Sequence, residues 1–401
     1  MSAVALPAAR TVDDTDRRGL LLLSIAHVVN DANQSALPAI IPWLATHRGL
    51  SLASAATLVL AMNLSSSIVQ PLFGHLSDKR SLAWVIPVAV LLATIGTACI
   101  GLAPSLPLML VGALVSGIGV AAFHPEGSRF AKYFAGARRG AGMGWFTVGG
   151  YLGFAAGPIA ITPLILIFGL HGTAFLLIPG AIIAALLARE LPRLEAVRAT
   201  AHQARRERSG RDDWRGFSIL TGVVALRSMT FLAAVTFMPV FAMSAMHVNA
   251  TLGSIALMVL LLGGAAGTVW GGNLADRFDR RRVVTVSLTL TAVLGAAVAV
   301  AGHFAPSYVL LLPLAFALGA AIGLSASVIV VLGQEYLPGR IGIASGVTLG
   351  LAVTLGGLSA PAFGAIGDRY GLVAVFAGVA LFALASLAGS FFLPRPAATA
   401  S

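Results

Sequence analysis

The chain has 401 residues, 58% of them hydrophobic and only 10% charged, with a formal net charge of +11. Soluble domains carry about 25% charged residues, so the composition excludes a large soluble core and implies a chain that crosses a membrane many times. The basic residues lie in short gaps between apolar runs and build no aromatic-interleaved basic domain, which argues against nucleic acid as a partner. The single cysteine excludes a disulfide framework and a cysteine metal site.

The first 19 residues, MSAVALPAARTVDDTDRRG, are polar and lack the apolar core and small-residue cleavage site of a signal peptide. They are expected to be a cytoplasmic tail ahead of a retained first span. Apolar runs of about 20 residues then recur. Spans are expected at 20–45, 51–74, 82–103, 106–128, 140–168 and 171–189, giving a six-helix unit over 20–189. Residues 190–216 are the one long polar segment, an expected cytoplasmic linker. Spans at 217–244, 250–272, 283–303, 307–333, 341–366 and 371–393 give a second unit over 217–393, with a short tail at 394–401. If both ends are cytoplasmic, 23 of the 26 Lys and Arg residues fall on the inside; Arg48 and Arg369 fall outside, and Arg227 lies within a span. That asymmetry predicts cytoplasmic termini. Lysine occurs only at 79 and 132, and the Arg- and Ala-rich usage is that of a GC-rich bacterial genome, which points to a bacterial inner membrane.

The two halves repeat at an offset of roughly 200 residues. GHLSDKR (74–80) follows span 2, and GNLADRFDRRR (272–282) follows span 8. Two similar six-span halves are a common build of secondary transporters, with sites near the midplane between them. The G-x-L-x-D-[KR] loop resembles the loop 2–3 signature of the major facilitator superfamily. Gly74, Asp78, Lys79 and Arg80, with Asp276, Arg277, Arg280 and Arg281, are the candidate cytoplasmic latch. Glycine permits close helix approach, and an aspartate can accept from helix N-termini or arginines of the opposite half. Span 5 carries Gly153, Gly157 and Pro158 in G-x-x-x-G-P, which resembles the motif of drug/proton antiporters.

Ionisable residues inside spans are costly, about 2.5–3.5 kcal/mol on insertion scales, and mark functional positions by default. Span 1 reads HVVNDANQSALP over 27–38. His27 and Asp31 are four apart and share a face that Gln34 continues, with Asn30 beside it. This stripe is expected to face a cavity rather than lipid. His124, Glu126 and Arg129 end span 4, and Glu335 ends span 10. Proton-coupling candidates are Asp31, Glu126, His27 and His124. Substrate-binding candidates are Arg227, Asn30, Gln34 and Asp31. Glu126 with Arg129, and Glu335 with Arg340, are also candidate intracellular-end ion pairs. Arg227 needs an anion, either an internal carboxylate such as Asp31 or an anionic substrate.

Larger blocks narrow the resemblance. HVVNDANQSALPAIIPWL, SSIVQPLFGHLSDK, FHPEGSR, QEYLPGRIGIASG and GGLSAPAFGAIGDRYG together resemble the fosmidomycin resistance protein family of major facilitator transporters. The likeness spans nearly the full chain and is weakest in the central loop. It implies an all-α membrane fold of twelve transmembrane helices in two pseudo-symmetric six-helix bundles. It also implies proton-driven efflux of small, often anionic or amphipathic compounds by a monomer that needs no cofactor or metal. Its motif positions include His27, Asn30, Asp31, Gln34, His124, Glu126, Arg129, Glu335 and Arg340. An importer or facilitator for an organic anion on the same fold is the alternative. The chain has no H-E-x-x-H or G-x-S-x-G, so an intramembrane enzyme is not expected.

Overall fold

The structure is a computed structural model that describes residues 15–50, 52–79, 82–207, 211–351 and 359–396. The regular elements among the described residues are all helical. The first half comprises α1 (Arg17–His47), α2 (Leu52–Lys79), α3 (Val85–Leu102), α4 (Leu106–Ala135), α5 (Arg139–Phe168) and α6 (Leu177–Arg189), the last two joined by a 3₁₀ segment, Gly169–Leu176. The linker forms its own helix, α7 (Leu191–Glu207). The second half comprises α8 (Trp214–Ala245), α9 (Ala250–Ala275), α10 (Arg280–Phe304), α11 (Tyr308–Leu324), α12 (Ala326–Tyr336), α13 (Ile341–Gly346), α14 (Ala360–Tyr370) and α15 (Leu372–Ser390). The expected tenth span is α11 and α12, interrupted at Ser325. The expected eleventh contains residues 352–358, which lie outside the described residues.

Nine of the described segments are long and apolar enough to cross a membrane. Helix α1 is not among them, because its polar stripe lowers its hydropathy. Large apolar side chains such as Leu21, Ile68, Leu166 and Val309 are exposed, as they are where lipid is the solvent.

Side-chain caps start the helices. Asp16 accepts from the Gly19 amide at 3.0 Å and Asp213 from the Gly216 amide at 2.8 Å. The same two aspartates show the repeat in three dimensions. The Asp16 amide donates to Phe134 O and the Asp213 amide to Tyr336 O, each at 2.7 Å, tying the start of one helix to the end of another in both halves.

Packing differs between the two ends of the bundle. At the end carrying the α2–α3 and α9–α10 loops one apolar core runs across both halves, joining Leu20, Phe130 and Phe146 to Phe217, Val328 and Leu332. Toward the other end each half keeps a core of its own: Ile40, Leu58 and Met109 in the first, Met238, Phe241 and Phe376 in the second. The halves are thus joined at one end.

Candidate transport site

That joined end holds the latch. Asp78 accepts from the Gly342 and Ile343 amides at 2.9 and 3.1 Å, at the start of α13. Asp276 accepts from the Gly140 and Ala141 amides at 2.8 and 2.9 Å, at the start of α5. Each carboxylate of one half therefore caps a helix of the other, where the amides are otherwise orphaned and the dipole favours an anion. Glycines make the approach possible: a Cβ on Gly74 would strike Gly342 O, and one on Gly272 would strike Gly140 O. The first copy is reinforced. Arg129 reaches Asp78 at 2.5 Å, also donates to Ser77 O, and lies 3.7 Å from Glu126. Arg198 of α7 adds 3.1 Å bonds to Glu126 and to Ser77 O.

Deeper in the first half, His27, Asp31 and His124 meet. Asp31 Oδ2 lies 3.2 Å from His27 Nε2, Asp31 Oδ1 lies 3.3 Å from His124 Nε2, and the two Nε2 atoms are 3.3 Å apart. The other ring nitrogens are committed: His27 Nδ1 donates to Phe146 O at 2.7 Å and His124 Nδ1 to Val120 O at 2.8 Å. A carbonyl only accepts, so both rings carry their Nδ1 proton. Without a further proton, two nitrogen lone pairs and a carboxylate would face one another in a buried site. The cluster is therefore a socket for a cation, a proton on Nε2 or a metal ion. Among the described residues it is the one group of three His, Cys, Asp or Glu side chains so placed.

Helix α5 builds the wall behind the socket. A Cβ on Gly150 would lie 3.0 Å from His27 Nε2 and 3.2 Å from Asp31 Oδ2; one on Gly153 would lie 2.7 Å from Val28 O and 2.9 Å from Asp31 Cβ. Gly157 lies against Ala32 O and Ser35 Oγ. The G-x-x-x-G face, which runs up to Pro158, thus seats α1 on α5.

In the second half Arg227 is 6% exposed. Its Nε donates to Ser325 Oγ at 2.9 Å and its Nη2 to Ile322 O at 2.6 Å, where α11 gives way to α12. Tyr151, on α5 of the opposite half, lies beside the same guanidinium. No described carboxylate lies within 4.0 Å of it. Arg227 and Asn30 correspond at the 197-residue offset of Asp213 and Asp16. The buried cation of one half is thus the repeat counterpart of a residue that neighbours Asp31 in the other.

The Major Facilitator Superfamily profile matches residues 23–361 and 262–401. The chain belongs to that superfamily. As a superfamily member it is a membrane-embedded transporter of small molecules and not an enzyme. It is 33% identical to the MFS-type transporter YfnC of Bacillus subtilis (strain 168), over 94% of this chain and 92% of that one. It is 29% identical to the fosmidomycin resistance protein of Escherichia coli (strain K12), over 98% and 96%. Its fold is that of solved superfamily transporters. The superfamily transporter FucP in the outward conformation aligns with TM-score 0.73 at 16% identity, covering 94% of this chain and 98% of FucP. The proton:xylose symporter XylE aligns with TM-score 0.74 at 14% identity, covering 94% and 95%.

Several expected partners in this superfamily transporter are rearranged. Arg227 does not pair with Asp31, because His27 and His124 surround that carboxylate inside the first half. The span 1 stripe divides rather than facing one cavity. His27 and Asp31 turn to α4 and α5, Asn30 is fully buried with its Nδ2 on Asp31 Oδ1 at 3.2 Å, and Gln34 bonds Asn63 on α2 at 2.9 Å. Glu335 pairs with Arg280 at 3.1 Å rather than with Arg340, which takes Asp212 at 3.2 Å. Arg281 closes on its neighbour Asp279 at 2.6 Å. Arg280 and Arg281 therefore brace the second half and do not bridge to the first. Lys79 and Arg277 are exposed, and Arg80 lies outside the described residues. Sequence reasoning missed Arg198, Tyr151 and Ser325. Arg198 looked like one more linker charge, and the other two are ordinary span residues until the halves are brought together.

Proposed function

We propose that the chain is a proton-coupled efflux transporter, an antiporter that exports small anionic or amphipathic compounds by alternating access. It would act as a monomer in the bacterial inner membrane with both termini cytoplasmic. The observation that carries the reading is Arg227, a buried guanidinium held by neutral partners of its own half with Tyr151 of the opposite half beside it. A buried charge of this kind is costly unless it meets a counter-charge, and a substrate carboxylate or phosphonate supplies one with bidentate geometry. The relationship to a fosmidomycin resistance protein supports export and an anionic substrate.

The driving proton binds in the His27–Asp31–His124 socket of the other half. Glu126 belongs to the latch, where its carboxylate holds Arg129 and Arg198. A proton crossing about 100 mV supplies about 2.3 kcal/mol, which sustains a gradient of roughly 50-fold. Expression in a drug-sensitive host tests the reading. Wild type raises resistance to fosmidomycin or to another small anion in a panel, while Arg227→Ala and Asp31→Asn, present in the membrane at equal amounts, do not. Full resistance in both variants would overturn it. Accumulation instead of depletion of the labelled compound would make the chain an importer.

A further inference from the structure

We propose that the His27–Asp31–His124 cluster is a binding site for a divalent transition-metal ion of the zinc type, held by the two Nε2 atoms and the Asp31 carboxylate. Metal binding follows from geometry alone.

The spacing is that of a coordination sphere. A tetrahedral ion with bonds of about 2.0–2.1 Å holds neighbouring ligand atoms about 3.3–3.4 Å apart. Here the two Nε2 atoms are 3.3 Å apart, and the carboxylate meets them through different oxygens, Oδ2 to His27 Nε2 at 3.2 Å and Oδ1 to His124 Nε2 at 3.3 Å, so both oxygens would face an ion placed between the rings. The rings are already in the required tautomer, with Nε2 free of its proton when the ring is neutral and Nδ1–H spent on a backbone carbonyl. Metal-ligating histidines are oriented in this way by their outer partners. Phe146 O and Val120 O play that part here. Asn30 Nδ2 holds the carboxylate from the side.

The donor set selects the ion. Two imidazoles and one carboxylate suit zinc, cobalt or nickel, whereas calcium and magnesium prefer all-oxygen sites. Charge is nearly matched as well. A divalent ion beside one carboxylate carries a single net positive charge, the same as that carboxylate between two protonated rings and one more than beside a single protonated ring, so the metal takes the place of bound protons with at most one added charge. Room is kept by Gly150, whose absent Cβ would press on both His27 Nε2 and Asp31 Oδ2.

Untagged full-length protein in detergent, titrated with Co2+ at neutral pH, tests the site. The expected result is one equivalent of Co2+ with the visible ligand-field absorption of a four-coordinate nitrogen and oxygen site, displaced by Zn2+. His124→Ala and Asp31→Asn are expected to weaken binding by about 100-fold, and Asn30→Ala, which leaves all three ligands, by about 10-fold. His303→Ala, exposed at the far end of α10, leaves binding unchanged. Thermal melting without metal establishes that each variant is folded; the outer-partner variant carries the test if a ligand variant is not. Absence of saturable one-equivalent binding would overturn the proposal, as would equal binding by wild type and the folded cluster variants. The titration contains no transport step, so its outcome is separate from the outcome of the efflux assay.

Discussion

At the scale of single residues, the proposed function rests on one buried His–Asp–His cluster and one buried arginine, in opposite halves. Arg227→Ala removes charged hydrogen bonds worth about 1.5–3 kcal/mol each to a bound anion, so the apparent substrate affinity should fall by at least about 10-fold. Arg227→Lys keeps the charge but loses the planar fork and should fall between. Substrate binding measured on the purified protein checks both. A replacement of Tyr151 by Phe leaves Ser325 and Ile322 O on the guanidinium, so binding should persist with an altered affinity. Much of this was legible: the charges in spans 1, 4 and 7 stood out against the hydrocarbon, and the i, i+4 spacing of His27 and Asp31 placed them together. Their partners were not legible. A sequence says that Asp31 needs company but not that His124 arrives from α4 before Arg227 can arrive from α8.

Helix-scale packing decides whether those side chains meet. The α1–α5 contact is glycine against backbone, so Gly153→Val would drive a side chain into Val28 O and Asp31 Cβ. It should cut the melting temperature and the yield of folded protein, and take transport with it. Gly222, inside α8, is the counter-case: a Cβ added there would meet nothing within 4 Å. Gly222→Ala should be neutral or stabilising by up to about 1 kcal/mol. The two latch copies should also differ. Asp78 carries both a helix cap and Arg129, whereas Asp276 carries a cap alone and is exposed. Breaking a buried ion pair costs about 3–5 kcal/mol and losing a cap about 1 kcal/mol, so Asp78→Asn should loosen the latch end far more than Asp276→Asn. Cysteine labelling at that end reads the difference. The signature loop made both aspartates visible in the sequence. The trailing arginines misled, because a positive run next to a latch motif can serve the fold of its own half, as Arg280 and Arg281 do.

For the whole molecule, the distribution of core residues shows which end holds the halves together. One shared core and two carboxylate caps join the halves at the latch end, and separate cores serve the other, so release of the latch is the step that lets the halves rock. Arg198 ties α7 into that step. Arg198→Ala should speed opening of the latch end without weakening substrate binding, which labelling kinetics and equilibrium binding separate. The halves, their spans and their offset were legible because the repeat leaves its mark on hydropathy and on matched motifs. The alignment of Arg227 with Asn30 emerged only when the paired caps at Asp16 and Asp213 fixed the offset.

The proposed exchange depends most directly on the link between a proton in one half and an anion in the other. Proteoliposomes holding a pH-sensitive dye, with a pH gradient imposed and substrate added, measure that link. Wild type is predicted to move protons down their gradient as labelled substrate moves the opposite way, with Asp31→Asn losing the proton movement and Arg227→Ala losing the response to substrate. Substrate flux that ignores the gradient, or proton movement undiminished in Asp31→Asn, would contradict it.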